Sequence, residues 1–466
     1  MHVDTPATIA VLGAGPIGLE AALYARYLGY DVQVYERGRV GENLRDFAHL
    51  RLFSPWGVNI SPLGQAALSA QDTSWQVPAD DALPTAGEFV EQYLIPLSQS
   101  DLLSGCVHEG VEVLAVGRES VRKPDRPGSR ARAKRRFRLL LCDERGSESV
   151  ATADVVIDAT GTYGNPAWVG DGGIPALGER RLRKQSAKQK RSERLLEYGL
   201  PDILGSHHKH YVGKTVMVVG AGHSAATNVL ALVELARQQN TGQVVWVTRR
   251  VPGDEGVVRR VLNDPLAERD RLAAAVAQAA LDEHVQFLAG WTVDALEEEG
   301  DRLRVRLVKA NPIAEDEPDE LEDESVDELI GDDEDFADEE FEDDEDDEQK
   351  ADGEDAADDR ETMEIVVDRL IANVGYLPDR SLYRELQVHE CFASEAPLQG
   401  SGDSSVPPVA GPERLLNPEP NFYVLGSKSY GRNSQFLLAH GLIQIRDLFR
   451  IVGGREGLDV YATMSR

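Results

Sequence analysis

Thr8-Ile9-Ala10-Val11-Leu12-Gly13-Ala14-Gly15-Pro16-Ile17-Gly18 runs into apolar residues at helical spacing from Ala21 to Leu28, then into Val32-Gln33-Val34-Tyr35-Glu36. The apolar opening predicts a buried strand, Gly29 ends the helix, and residues 32–36 predict a second strand. Gly13, Gly15 and Gly18 place G-x-G-x-x-G at the strand-to-helix turn. The first glycine permits the tight turn, the second lets backbone approach a pyrophosphate, and the third lets helix and strand pack closely. Unpaired N–H groups at the helix start attract phosphate charge. Glu36 follows Gly18 by 18 residues, close to where a carboxylate meets a ribose hydroxyl. Strand, glycines, helix, strand and acid occur in order, so the pattern reads as a dinucleotide-binding βαβ unit rather than a chance glycine spacing.

A chain of 466 residues holds two or three domains. It opens on Met-His-Val-Asp without a basic-apolar leader, and no apolar run is long enough to cross a bilayer. Cys106, Cys142 and Cys391 are far apart, which speaks for a reducing, cytoplasmic setting and against a disulfide framework. No metal site is expected. The net charge of −32 is concentrated: residues 315–360 hold 29 Asp and Glu against two basic residues, leaving −5 for the rest. With so little apolar content, that segment is expected to be disordered. Two basic stretches, Arg122–Arg138 and Arg180–Arg194, lack the interleaved aromatics of a nucleic-acid surface. They read as solvated loops against which the acidic segment folds back, a basic partner protein being its other expected contact.

The opening pattern repeats downstream. Thr215 to Val219 predicts a strand, Gly220-Ala221-Gly222-His223-Ser224-Ala225 supplies the G-x-G-x-x-A variant, and residues 224–237 predict a helix. The next strand, Gln243 to Thr248, ends on Arg249-Arg250 rather than on an acid. A ribose 2′-hydroxyl prefers a carboxylate there and a 2′-phosphate prefers arginine, so the second nucleotide is expected to be NADP(H).

Between the two motifs, Pro84-Thr85 opens a capped helix, and Val111–Val116 and Phe137–Leu141 alternate like strands. Asp154-Val155-Val156-Ile157-Asp158-Ala159-Thr160-Gly161 is a buried-type strand ending on small residues, and residues 162–178 read as a linker. Beyond the second motif come a helix over 265–281 and strands over 285–288, 303–308 and 364–371. The acidic residues 312–361 then form an overgrown hairpin loop, an insertion that costs little closure entropy. Asn421–Gly426 is the last strand, and a helix is expected from Ser434, its N-cap, to Ile451.

Two dinucleotide motifs, the first tipped by an acid and the second by arginines, resemble the two-dinucleotide-binding-domain flavoproteins, which include thioredoxin-reductase-like enzymes and flavin-containing monooxygenases. The resemblance implies an α/β fold with two Rossmann-like, three-layer ββα domains, the second inserted in the first. It implies FAD on a discontinuous domain of residues 1–178 plus 372–466, and NADPH on residues 205–371, with 312–361 an acidic insertion in the latter. Carried onto this chain, Gly13, Gly15, Pro16, Ile17 and Gly18 hold the FAD pyrophosphate, and Glu36 and Arg37 flank its adenosine ribose. Gly161 lies at the domain crossing, and Gly426 and Ser427 sit at the flavin end. Gly220, Gly222, His223, Ser224 and Ala225 hold the NADPH pyrophosphate, and Arg249 and Arg250 its 2′-phosphate. The Asp that reductases of this group carry after the last glycine is Ser427 here, and their redox Cys-x-x-Cys is missing.

No motif fixes a substrate pocket. Polar candidates near the flavin are Arg51, Ser54, Tyr430, Asn433 and Gln435, the last three because they precede or open the final helix. Three functions stand open. The first is an NADPH- and FAD-dependent monooxygenase of a small organic substrate. The second is an NADPH-dependent reductase of a quinone or small disulfide. The third is a non-catalytic nucleotide or redox sensor. A homodimer is also open.

Overall fold

The computed structural model describes residues 2–464 except 73, 254–255, 259, 261–265, 312–359 and 398–410. The chain begins with strand β1 (Thr8–Leu12), helix α1 (Pro16–Tyr27) and β2 (Asp31–Glu36). Helix α2 (Pro62–Gln71) is capped by Ser61, whose Oγ accepts the Gly64 N–H at 2.8 Å. There follow β3 (Val107–Glu109), β4 (Val111–Arg118), β5 (Phe137–Asp143), β6 (Glu148–Ala153) and β7 (Val155–Asp158). Helix α3 (Glu179–Ser186), β8 (Leu196–Tyr198) and β9 (Thr215–Val219) lead into α4 (His223–Gln239) and β10 (Gln243–Thr248). Helix α5 (Ala267–Ala279) precedes β11 (Val285–Ala289), β12 (Trp291–Glu299) and β13 (Arg302–Lys309). After the insertion come β14 (Thr362–Val367), β15 (Arg369–Ala372), β16 (Phe422–Val424), α6 (Leu438–Val452) and α7 (Val460–Met464).

Two parallel five-stranded sheets organise the molecule, ordered β16-β7-β1-β2-β3 and β11-β10-β9-β15-β8. Each is joined by an antiparallel three-stranded sheet, β4-β5-β6 for the first and β12-β13-β14 for the second. This is the expected α/β arrangement of two ββα units. The C-terminal strand β16 pairs with β7, Tyr423 opposite Ile157, so the chain returns to its first sheet after building the second. The first core holds Ile9, Val11, Leu23, Val32, Ile157 and Leu448 at full burial. Each such side chain contributes about 1.5–3 kcal/mol of transfer free energy. Tyr24 stacks on Phe449 at 5.0 Å, tying α6 to α1.

Several elements depart from expectation. The second sheet reaches upstream of residue 205, because β8 forms its edge against β15. Val169, Ala176 and Leu182 also pack in that unit's core, so residues 162–178 are more than a linker. The strand expected over 364–371 is two strands: the Asp368 carboxylate accepts the Thr215 N–H at 2.7 Å, turning the chain from one sheet into the other. Strands β13 and β14 pair antiparallel, Val308 opposite Thr362, so the insertion joins neighbouring strands; the disorder expected of it concerns residues outside those described. The basic stretch 122–138 is not simply a solvated loop. Arg132 is wholly buried and, with Arg118, grips the buried Glu419 carboxylate at 2.7 Å from each guanidinium. Finally, α6 starts at Leu438, not Ser434. Asn433 Oδ1 accepts the Gln435 N–H at 2.8 Å, holding residues 433–435 in a turn, and His440 Nδ1 accepts the Leu437 N–H at 3.3 Å as the cap.

Candidate functional site

Both glycine turns open on one cleft of about 1980 Å³ between the two units. A single-ligand pocket spans about 300–1,000 Å³, so this cleft has room for more than one ligand. At its first end β1 delivers Gly13 to the sheet edge, with Leu12 opposite Tyr35 and Asp158. A methyl carbon placed on Gly18 would lie 1.9 Å from the Gly13 carbonyl oxygen, whereas one on Gly15 would meet nothing within 4 Å. Gly18 is therefore a packing glycine, and Gly15 faces open cleft. The Glu36 carboxylate accepts the Ala14 N–H at 2.8 Å and the Gly38 N–H at 2.9 Å, which fixes it beside the turn. The Arg37 guanidinium lies against Gly164, where any side chain would overlap it. Pro16 and Ile17 line the same end, as do Val111 to Leu114 of β4.

The second turn repeats the design. A methyl on Gly220 would collide with the Asn373 carbonyl, while one on Gly222 again meets nothing within 4 Å. Trp246 Nε1 donates to the Gly220 carbonyl at 2.8 Å and pins the loop to β10. Asn228 Nδ2 donates to Asn373 Oδ1 at 2.8 Å, and Asn373 Nδ2 donates to the Gly199 carbonyl at 2.8 Å. Arg249 and Arg250 stand exposed past the end of β10, and Thr248 Oγ1 donates to the Arg250 carbonyl at 2.9 Å. Arg260, Arg269 and Arg271 line the cleft as well, giving this end a cationic rim. Arg260 is held by Asp270 through two contacts of 2.7 Å, and Arg271 pairs with Glu268.

The units are joined where the crossing segments pair. The Ala167 N–H donates to the Gly375 carbonyl at 3.0 Å and the Leu377 N–H to the Asn165 carbonyl at 2.9 Å. Across the cleft the Phe53 ring meets the His223 ring edge-on at 5.7 Å, linking the first unit's long loop to the second glycine turn. Asp46 of that loop is shifted upward by burial, with Arg191 and Arg194 of the second unit acting against the shift.

The polar candidates divide. Arg51, Ser54, Asn433 and Gln435 line the cleft with Gly161, Gly426, Ser427 and Ser224. Arg51 is anchored to the Leu83 carbonyl at 3.0 Å, and Ser54 donates to Asn59 Oδ1 at 2.7 Å. Tyr430 is not brought to the cleft: it is buried in the first core, stacked on His440 at 5.9 Å. Ala225 is likewise buried, packed behind the second turn. Cys106, Cys142 and Cys391 all lie away from the cleft lining. Two features escaped the sequence. Asn373 and Asn228 brace the second turn from 145 residues apart. Lys428 is 1% exposed beneath the first site and bonds Asp158 at 2.6 Å. Neither pair carries a spacing signal, because each forms only when distant strands meet. Among the described residues no His, Cys, Asp and Glu cluster forms a metal-binding group, and no helix is long and apolar enough to cross a membrane.

Two ββα units with facing glycine turns define the fold of the two-dinucleotide-binding-domain flavoprotein oxidoreductases. Solved structures of that fold match nearly the whole chain. Bacillithiol disulfide reductase from Bacillus cereus aligns with a TM-score of 0.61 at 15% identity, covering 96% of this chain and 99% of that one. The FAD-bound cadaverine monooxygenase DfoA from Erwinia amylovora gives 0.57 at 12%, covering 98% and 96%. The Kutzneria ornithine N-hydroxylase KtzI gives 0.54 at 14%, covering 97% and 100%. No protein-family model matches the sequence, and no curated protein matches it.

Proposed function

We propose that the chain is an FAD-dependent oxidoreductase that takes its electrons from NADPH. The observation that carries this reading is the pair of braced glycine turns whose second glycines, Gly15 and Gly222, face one open cleft. Both sites fit a dinucleotide: each turn leaves its cleft-facing glycine uncovered, and a helix start stands behind each. Glu36 at the first tip suits an unphosphorylated ribose, and Arg249 and Arg250 at the second suit a 2′-phosphate. FAD therefore belongs in the first unit, against Gly13, Gly15, Pro16 and Ile17. NADPH belongs in the second, against Gly220, Gly222, His223 and Ser224. FAD held there would supply the redox chemistry, as the carrier of electrons from NADPH to oxygen or to another acceptor.

The residues of this chain bind, orient and exclude water. Leu50, Leu52, Phe53, Phe436 and Leu437 give the cleft an apolar middle. We read the activity as monooxygenation of a small organic substrate. The apolar side chains of the cleft support it, and none of the three cysteines lines the cleft, where a thiol relay to a disulfide would need one. A second reading, reduction of a diffusible quinone or small disulfide by direct transfer, is favoured by the 0.61 TM-score to the bacillithiol disulfide reductase.

The test is to follow NADPH oxidation with an oxygen electrode across a panel of small amines, thioethers and ketones. Monooxygenation predicts oxygen uptake stoichiometric with an oxygenated product. Turnover that persists anaerobically with a quinone or disulfide, with no oxygenated product in air, overturns it in favour of the second reading.

A further inference from the structure

Beneath the first site lies a buried ion pair with no part in the glycine turns. Lys428 follows the last strand of the first sheet, and Asp158 ends the neighbouring strand β7. The ammonium meets Asp158 Oδ2 at 2.6 Å and donates to Thr160 Oγ1 at 3.1 Å, with the Tyr383 ring 5.0 Å away. Thr160 in turn donates to Asp158 Oδ1, from its hydroxyl at 2.7 Å and from its backbone N–H at 3.1 Å. Lys428 is 1% exposed and Asp158 is fully buried, yet Lys428 and Thr160 both border the cleft.

The clamp joins two turns that both face the cleft. Gly161 (φ +68°) and Gly426 (φ +75°) take left-handed conformations, and a methyl on Gly161 would reach within 3.5 Å of Ser427 Oγ. Among the described residues no other ion pair ties these segments, which lie 270 residues apart. For the reductases of that group the resemblance implies an Asp directly after the last glycine. Here that residue is the neutral Ser427, and the charge at this turn is instead the cationic Lys428.

We propose that Lys428, through Asp158 and Thr160, is a positioning residue that sets FAD affinity and the reduction potential of the bound flavin; this rests on the FAD reading above. The ammonium holds both cleft-facing turns in place and supplies positive charge beside a cofactor that carries a diphosphate and gains negative character on reduction. The partner carboxylate offsets that charge, so removing either partner shifts the balance in an opposite sense.

The test uses the full chain, depleted of flavin and titrated with FAD, with thermal melts of the apoprotein alongside. Lys428→Met should weaken FAD binding at least about tenfold, the range in which one partner of a buried charge pair is felt. It should also make bound FAD harder to reduce. Asp158→Asn should make it easier to reduce. Asp158→Leu with Lys428→Met removes both charges and keeps an apolar contact, so it should recover the melting temperature. It should not recover FAD affinity, because Thr160 has then lost its acceptor and its donor. If affinity returns together with the melting temperature, or if both single variants shift the potential the same way or not at all, the clamp is only structural and the proposal fails. If the unaltered chain binds no FAD, it is the cofactor reading that fails first.

Discussion

Replacing Gly15 and Gly18 in turn by alanine separates the cofactor site from the fold that presents it. At Gly18 the added carbon would sit 1.9 Å from the Gly13 carbonyl oxygen and 3.5 Å from the Ala159 side chain. The normal separation is more than 3 Å, so β1 and α1 must move apart by over an ångström. Overpacking of that kind costs about 1–3 kcal/mol or more. For a unit of this size that lowers the melting temperature by about 2–4 °C per kcal/mol. Gly15→Ala is different. Gly15 has φ −79° and ψ −175°, extended backbone open to any residue, and its added carbon meets no protein atom within 4 Å. Its apoprotein melting temperature should therefore stay within a few degrees of the unaltered chain. On the proposed reading, the methyl stands instead where the FAD pyrophosphate would approach. A clash of about 3 kcal/mol there weakens binding about a hundredfold. FAD fluorescence titration and apoprotein melting, run on both variants, read the two effects separately. Unchanged FAD affinity in Gly15→Ala would refute the cradle assignment, and an unchanged melting temperature in Gly18→Ala would refute the packing account.

Changing Arg249 and Arg250 together to Ala should raise the NADPH KM about tenfold or more while leaving the NADH KM nearly unchanged, because charge-assisted contacts to a 2′-phosphate are the strong ones; steady-state kinetics with both nucleotides decides. Glu20, buried with Ser61 Oγ at 2.8 Å and the Tyr93 hydroxyl as donors, is raised by burial from 4.5 to about 7. A raised carboxyl contributes stability that is complete below pH 4.5 and is lost as pH climbs through about 7. Glu20→Gln should remove about 3 kcal/mol of that pH dependence, so its melting temperature should fall less than the unaltered chain's over that window. Glu419→Gln leaves Arg118 and Arg132 buried against a neutral amide and should cost about 3–5 kcal/mol, read as an early first transition in a thermal melt.

How much was legible follows from which interactions are local. The two βαβ units announce themselves within 29 and 34 residues, because strand, glycines and helix are neighbours in sequence; hence Gly13, Gly15, Gly220 and Gly222 could be placed at the turns. Arg249 and Arg250 could be placed past the end of β10 for the same reason. The cap at Thr85 was also legible, and Glu88, three residues on, completes it as a capping box. Long-range elements were not. β8 is three residues long and becomes a strand only through pairing with β15, Leu196 opposite Leu370, 174 residues on. The start of α6 was misplaced because Ser434 is a good cap by type, while Asn433 and His440 take the hydrogen bonds that decide the turn. Tyr430 precedes the helix as a polar candidate should, yet its ring pays for burial by packing on Phe436 and His440. Arg132 reads as one more charge in a basic run until Glu419 is brought to it.

The account stands on electrons passing from a nucleotide on the second unit to a flavin on the first. The most direct measurement is anaerobic: load the full chain with FAD, add NADPH or NADH, and follow the flavin absorbance by stopped flow. The account predicts rapid bleaching by NADPH at concentrations where NADH acts far more slowly. FAD that stays oxidised with both nucleotides, or binding of neither cofactor, would contradict it.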